Sequence, residues 1–129
     1  MPTAAAMKVL VVDDQRSIRA LVRSSLNNLG CRLVDEAEDG EDAWRRLQAR
    51  PPHLVISDLN MPKLDGLGLL RAVRSAPQFK NIGFIMLTSR SDAELVQQAI
   101  KLGVNNYLMK PFALGALKSK IESVFGPLT

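Results

Sequence analysis

Apolar positions along the chain follow two alternating periods. Residues 7 to 12 are a branched apolar run, and the stretch from Gln15 to Leu29 then repeats apolar side chains at Ile18, Leu21, Val22, Leu26 and Leu29, the spacing of one helix face. Strand followed by helix is the reading, with Gly30 as the helix stop. A second short strand is predicted over Arg32 to Ala37 and a helix from about Glu41 to Ala49, closed by Pro51 and Pro52. His53 to Ser57 is a third apolar run, followed by a helix from about Gly66 to Arg74 with Asp65 as its N-cap. Ile82 to Leu87 is a fourth, after which Ser91 or Asp92 can cap a helix running to Leu102, with Gly103 beyond its end. Asn106 to Met109 is the fifth strand, and Pro111 opens a last helix with Leu114, Leu117, Ile121 and Val124 on its inner face.

Five β-α units in succession, with no internal repeat, low-complexity segment or linker, predict an α/β fold with a parallel sheet covered on both faces. Right-handed crossovers with one reversal of direction give the flavodoxin-like (βα)5 doubly wound arrangement, strand order 2-1-3-4-5. Strands 1 and 3 then lie side by side at the switch point. Their acidic ends, Asp13 with Asp14 and Asp58, become neighbours, and Thr88 and Lys110 end strands 4 and 5 at the same edge.

Composition narrows the class without choosing the fold. A length of 129 residues suits one core, so a single domain over 1–129 is expected. Apolar residues at 47% and charged residues at 23% are ordinary for a globular chain and disfavour disorder. No apolar run approaches the roughly 20 residues of a membrane span. The start, MPTAAAMKVL, lacks the basic and apolar regions of a signal peptide, so a cytoplasmic location is expected. Cys31 is the one cysteine, which precludes an internal disulfide and is read as core filling. The net charge of +4 concentrates on Arg16, Arg19 and Arg23, on Arg45 and Arg46, and on Arg71 and Arg74. No aromatic residues interleave with these and no helix-turn-helix follows, so solvated helix faces are expected in preference to a nucleic-acid surface.

The acidic cluster carries the chemistry. Carboxylates within about 5 Å repel by roughly 3 kcal/mol per pair at an effective dielectric near 20. A hard divalent cation with oxygen ligands relieves this, and Mg²⁺ suits Asp13, Asp14 and Asp58 with the backbone carbonyl of Asn60 as a further ligand. Asp58, alone at its strand end, is the candidate nucleophile toward phosphorus, giving an aspartyl phosphate. Thr88 offers a hydroxyl donor and Lys110 an ammonium to the incoming oxygens. Each residue alone also has a plain reading: Asp14 as a helix cap, Asp58 as a turn residue, Lys110 as a surface charge.

VLVVDDQRSIRALV, AEDGEDAW, LVISDLNMPKLDGLGLL, FIMLTSRSD and YLMKPF together resemble the receiver domain of bacterial response regulators, most closely the single-domain CheY-like chemotaxis regulators. The resemblance runs from Lys8 to about Phe125. It implies that Asp58 is the phosphoacceptor, that Asp13 and Asp14 bind Mg²⁺ with Asp58, that Thr88 and Lys110 contact the phosphoryl group, and that Tyr107 is the switch aromatic. In such proteins Thr88 would move toward the phosphate and Tyr107 would turn inward. The altered surface of helix 4, strand 5 and helix 5, here with Val96, Ile100, Tyr107, Lys118 and Lys120, would be read by a partner. Two positions depart from the enteric pattern. Leu59 replaces a tryptophan, and Arg90 replaces an acidic residue, so that Asn60 and Arg90 are expected to set the hydrolysis rate of the phosphate.

The implied partners are a histidine kinase or histidine phosphotransfer protein, docking near Arg16, Ile18 and Arg19, a phosphorylation-dependent target such as the flagellar motor switch, and a phosphatase. The chain ends about four residues after the last predicted helix, so no DNA-binding or enzymatic output domain is expected, and a monomer that signals by docking is. A phosphate sink or intermediate phosphorelay carrier would use the same residues. A haloacid-dehalogenase-type phosphatase would have a second aspartate two positions after the nucleophile, where Asn60 stands. A flavodoxin-like nucleotide carrier would have a hydroxyl- and glycine-rich loop in place of Asp13 and Asp14. A receiver-shaped docking module without phosphorylation is the remaining alternative.

Overall fold

The computed structural model describes residues 3–89 and 93–129. A short 3-10 turn at Ala4–Ala6 leads into β1 (Lys8–Val12), α1 (Arg16–Asn28), β2 (Leu33–Ala37), α2 (Gly40–Ala49), β3 (Leu54–Asp58) and α3 (Gly66–Ser75). β4 (Gly83–Thr88), α4 (Ala93–Lys101), β5 (Asn106–Met109) and α5 (Leu114–Phe125) complete the order. All strand pairs are parallel, and the sheet runs β2-β1-β3-β4-β5 as predicted.

Strand alternation divides the core into two layers. Leu10, Val12, Val55, Phe84 and Met86 point toward α2, α3 and α4, where Ala43, Leu47, Leu70, Val73 and Ala99 meet them. Val9, Val11, Leu54, Ile56, Ile85 and Leu87 point toward α1 and α5, against Val22, Leu26, Leu117 and Ile121. Each fully buried Val, Leu or Ile contributes about 1.5–3 kcal/mol relative to exposure. β3 and β4 are buried along their whole length, as central parallel strands must be, whereas β2 alternates. Cys31 is buried in the α1/α5 layer. The N-terminal turn also sinks Ala4 into that layer, which the residue pattern did not indicate, beside Met7 of the first apolar run.

The helix signals act largely as expected. Asp65 accepts a hydrogen bond from the Gly68 N–H at 2.8 Å, and Asp39 caps α2 by accepting from the Asp42 N–H at 2.8 Å. Gly30 and Gly103, both at φ +93°, take the left-handed conformation that ends α1 and α4. α5 differs: Pro111 does not open it. The Lys110–Pro111 peptide is cis, and the helix begins at Leu114, where the Ala113 carbonyl accepts from the N–H groups of Ala116 and Leu117. Leu114 is consequently 41% exposed, so the inner face of α5 is Leu117 and Ile121 with half-buried Val124. Asp14 does not cap α1 either, because Gln15 holds the N-cap position.

The basic helix residues are more engaged than a solvated face requires. Arg19 and Arg23 pair with Glu36, Arg46 pairs with Asp35 and Asp42, and Arg74 donates to the carbonyls of Lys80, Ile82 and Gly103. Both edge strands also cover an outward N–H with the side chain of the preceding residue. Asp35 Oδ1 accepts from the Glu36 N–H and Asn106 Oδ1 from the Tyr107 N–H, each at 2.9 Å. Such covering discourages edge-to-edge pairing.

Candidate functional site

The register of the sheet delivers the chemistry to one edge. Val12 pairs with Ser57, Asp58 with Leu87, and Thr88 with Met109, so the residues at or just beyond the strand ends are Asp13, Asp14, Asp58, Thr88 and Lys110. Carboxyl ends at a topological switch point are where open α/β sheets leave a crevice.

Asp13 is fully buried and held at several points. Its N–H donates to the Ala37 carbonyl at 3.1 Å, and its Oδ1 accepts from the Gln15 N–H at 2.9 Å. Oδ2 is left buried without a hydrogen-bond partner, 3.8 Å from the Lys110 ammonium. The same ammonium donates to Asp58 Oδ1 at 3.1 Å. Burial is the main cause that pushes the Asp13 carboxyl up to about 6, with Asp58 and Asp14 adding repulsion and the Gln15 N–H and Lys110 opposing. Burial likewise raises Asp58 above the usual carboxylate range, against the hydrogen bond and charge of Lys110 and the Leu59 N–H.

Ligand oxygens from Asp13, Asp14 and Asp58 lie within 4.8 Å of one another. Three hard anionic donors, one of them a buried oxygen with no hydrogen bond, leave more negative charge than one ammonium neutralises. The donor set fits a hard divalent cation such as Mg²⁺.

Two structural devices shape the rim. Gly40 donates its N–H to the Leu64 carbonyl at 3.0 Å, and a Cβ there would stand 2.0 Å from that oxygen, so only glycine lets the β3–α3 loop approach. Lys63 in that loop, at φ +64°, reaches Asp39 Oδ2 at 3.8 Å. The AEDG run thus secures the loop that carries Asn60, a role the residue pattern alone did not disclose. Thr88 is buried, and its carbonyl accepts from the Lys110 N–H at 2.8 Å, joining the two residues through the backbone. Tyr107, on the edge strand β5, is 38% exposed, with Lys120 Nζ 5.4 Å from its ring centre. Asn60 is exposed at the mouth. Arg90, expected beside the attack path, and the capping candidates Ser91 and Asp92 lie outside the described residues.

A flavodoxin-like sheet with an acidic cluster at its switch point defines a class of small α/β domains. Residues 9–122 match the response regulator receiver domain, and the chain belongs to that family. It is 48% identical over 128 residues to a probable chemotaxis protein CheY of Rhizobium etli, covering 99% of both chains. It is 45% identical over 121 residues to the chemotaxis protein CheY1 of Helicobacter pylori, covering 93% of this chain and 98% of that one. Among solved structures, the chemotaxis response regulator CheY4 of Vibrio cholerae superposes with a TM-score of 0.83 at 36% identity, over 92% of this chain and 98% of that one. Among the described residues, no helix is long and apolar enough to cross a membrane.

Proposed function

We propose that the chain is a phosphorylation-driven response regulator of chemotaxis that accepts a phosphoryl group on Asp58 from a histidine kinase or histidine phosphotransfer protein. The observation that carries this reading is the convergence of Lys110 Nζ on Asp58 Oδ1 at 3.1 Å beside the unpartnered buried Oδ2 of Asp13. Family membership and the chemotaxis names of the relatives support it.

Asp13, Asp14 and Asp58, with the Asn60 carbonyl, are the residues that would hold Mg²⁺. Bound there, the ion supplies charge neutralisation to the carboxylates and to phosphoryl oxygens. A carboxylate oxygen of Asp58 attacks phosphorus, the new O–P bond forms, and the bond from phosphorus to the donor imidazole nitrogen breaks, the electron pair leaving with the imidazole. Lys110 exchanges its contact with the carboxylate for one with the transferred group, and the Thr88 hydroxyl donates to a second oxygen. The added group carries about −1.5 to −2 charges. It favours whichever conformation binds it better, so that Thr88 moves toward it and Tyr107 turns from its exposed position. The surface of α4, β5 and α5 then docks a protein target such as the flagellar motor switch. Asn60 and Arg90 set how fast water, or a phosphatase, removes the group.

Intact mass after incubation with acetyl phosphate, with and without Mg²⁺, tests this. A Mg²⁺-dependent gain of one phosphoryl group that Asp58→Asn abolishes is expected. No gain under any condition would leave a docking module without phosphorylation.

A further inference from the structure

The acidic loop is held from outside the pocket by a cation that the phosphoryl chemistry does not use. Arg19 lies one turn into α1, with its side chain only 14% exposed, and its Nη1 donates to the Asp13 carbonyl at 2.6 Å. Its Nε is bound at 3.1 Å by Glu36 Oε1 on β2. The other carboxylate oxygen of Glu36 takes Arg23 Nε at 2.7 Å, and Arg23 Nη2 donates to the Val34 carbonyl at 2.9 Å. Glu36 therefore stands between two guanidinium groups. Burial alone would raise its pKa, and the hydrogen bonds and charges of Arg23 and Arg19 more than reverse that, so it stays ionised as an anchor.

The contact with Asp13 matters because of where that carbonyl sits. The peptide from Asp13 to Asp14 is the link between the buried carboxylate and the exposed one. The Asp13 N–H and Oδ1 are already fixed by Ala37 and Gln15, and Arg19 fixes the remaining backbone polar atom of that residue. Backbone rotation at Asp13 would break the short charge-assisted bond. Without it the Asp14 carboxylate is free to swing away from Asp13 and Asp58, because three like charges repel.

We infer that Arg19 is a positioning residue for the divalent cation. Anchored by Glu36, it locks the Asp13–Asp14 peptide so that the carboxylates are assembled before the ion arrives. The inference rests on the metal-dependent reading above. It accounts for a half-buried arginine that otherwise puts a positive charge close to a cation site, where Coulomb repulsion alone would weaken binding. Lysine could make one of the two bonds from that position, but not hold both with a planar fork.

Mg²⁺ titration by calorimetry on the unphosphorylated protein tests the inference, with circular dichroism verifying that every variant is folded at the working temperature. Arg19→Ala is expected to weaken Mg²⁺ at least tenfold and Arg19→Lys to recover part of the loss. Arg23→Ala removes a comparable ion pair between α1 and β2 without touching Asp13, and is expected to lower the melting temperature while leaving Mg²⁺ affinity within about twofold of wild type. Equal affinity in Arg19→Ala and wild type would overturn the positioning role while leaving the metal site standing. Equal weakening in Arg19→Ala and Arg23→Ala would also overturn it, by attributing the effect to general loosening of α1. Failure of the wild type to bind Mg²⁺ at millimolar concentrations would remove both the metal site and the role of Arg19.

Discussion

The Lys110 ammonium donates to Asp58 at 3.1 Å while standing 3.8 Å from Asp13, so one cation is shared between two carboxylates at the end of the sheet. This arrangement has opposite consequences for the two ligands of the site. Lys110 steadies the carboxylate that would attack phosphorus, and it competes with any cation for the same oxygens. Lys110→Ala is therefore expected to lower the rate of acetyl phosphate uptake at least tenfold while tightening Mg²⁺ binding. Mass spectrometry and a metal titration on one preparation separate the two effects. A variant that takes up phosphate at the wild-type rate would remove Lys110 from the chemistry.

Asp13 makes stability depend on pH in an unusual direction. Its pKa in the folded protein is about 6, above the ordinary value of 3.8, so between those two values the folded state binds the extra proton. Stability thus falls as pH rises through that window, and the full penalty, up to about 3 kcal/mol, applies above it. Asp58 is shifted in the same direction. Without Mg²⁺, Asp13→Asn should melt above wild type at pH 7.5, by on the order of 5–10 °C, and at about the same temperature near pH 4. Added Mg²⁺ should raise wild type at pH 7.5 and leave the variant nearly unmoved. Parallel melting curves for the two proteins across this range would sink the account.

The backbone and the ring of Tyr107 are held by different partners. Its N–H donates to Asn106 Oδ1 at 2.9 Å, and Asn106 Nδ2 donates to Ser123 Oγ on α5 at 2.9 Å. Lys120, one turn earlier on α5, stands over the ring. An exposed cation–π contact contributes about 0.5–1 kcal/mol, so Lys120→Ala should raise the inward population of Tyr107 roughly two- to fivefold. The chain has one tyrosine, so 3-fluorotyrosine labelling gives one ¹⁹F resonance whose position reports the exchange. The same chemical shift in wild type and Lys120→Ala, with and without beryllofluoride, would show that Lys120 does not restrain the ring.

The five strands and their order were legible because apolar runs and helical spacing alternate cleanly, and the right-handed crossover leaves few topologies. The convergence of Asp13, Asp14 and Asp58 followed directly from that order. What stayed hidden depends on partners distant in sequence. A row of arginines reads as a solvated face until the fold brings Glu36 beside Arg19 and Arg23. Pro111 reads as a helix opener, since its fixed φ suits a first turn, but the chain bends there, runs extended at Ala113 and starts the helix only at Leu114, which is exposed. Gly40 could be read only as a helix neighbour, because its contact is with Leu64.

Two glycines should respond to the same substitution with opposite signs. Gly66 opens α3 directly beneath the site, and a Cβ there would stand 2.4 Å from the Asp58 carbonyl oxygen and 2.9 Å from Met86 Sδ. The first neighbour is backbone of a central strand that cannot retreat without moving Asp58. Gly66→Ala is expected to cost more than the 1–3 kcal/mol usual for overpacking and to slow phosphoryl uptake. Gly115 lies in the first turn of α5 with nothing within 4 Å of such an atom. Gly115→Ala should stabilise by about 0.5 kcal/mol, through lower entropy of the unfolded chain and better helix propensity. Urea unfolding of both variants checks the contrast, with unchanged slopes showing that the folded state keeps its extent. A Gly66→Ala protein as stable as wild type would mean that β3 and α3 can separate freely, contrary to the close packing that fixes Asp58.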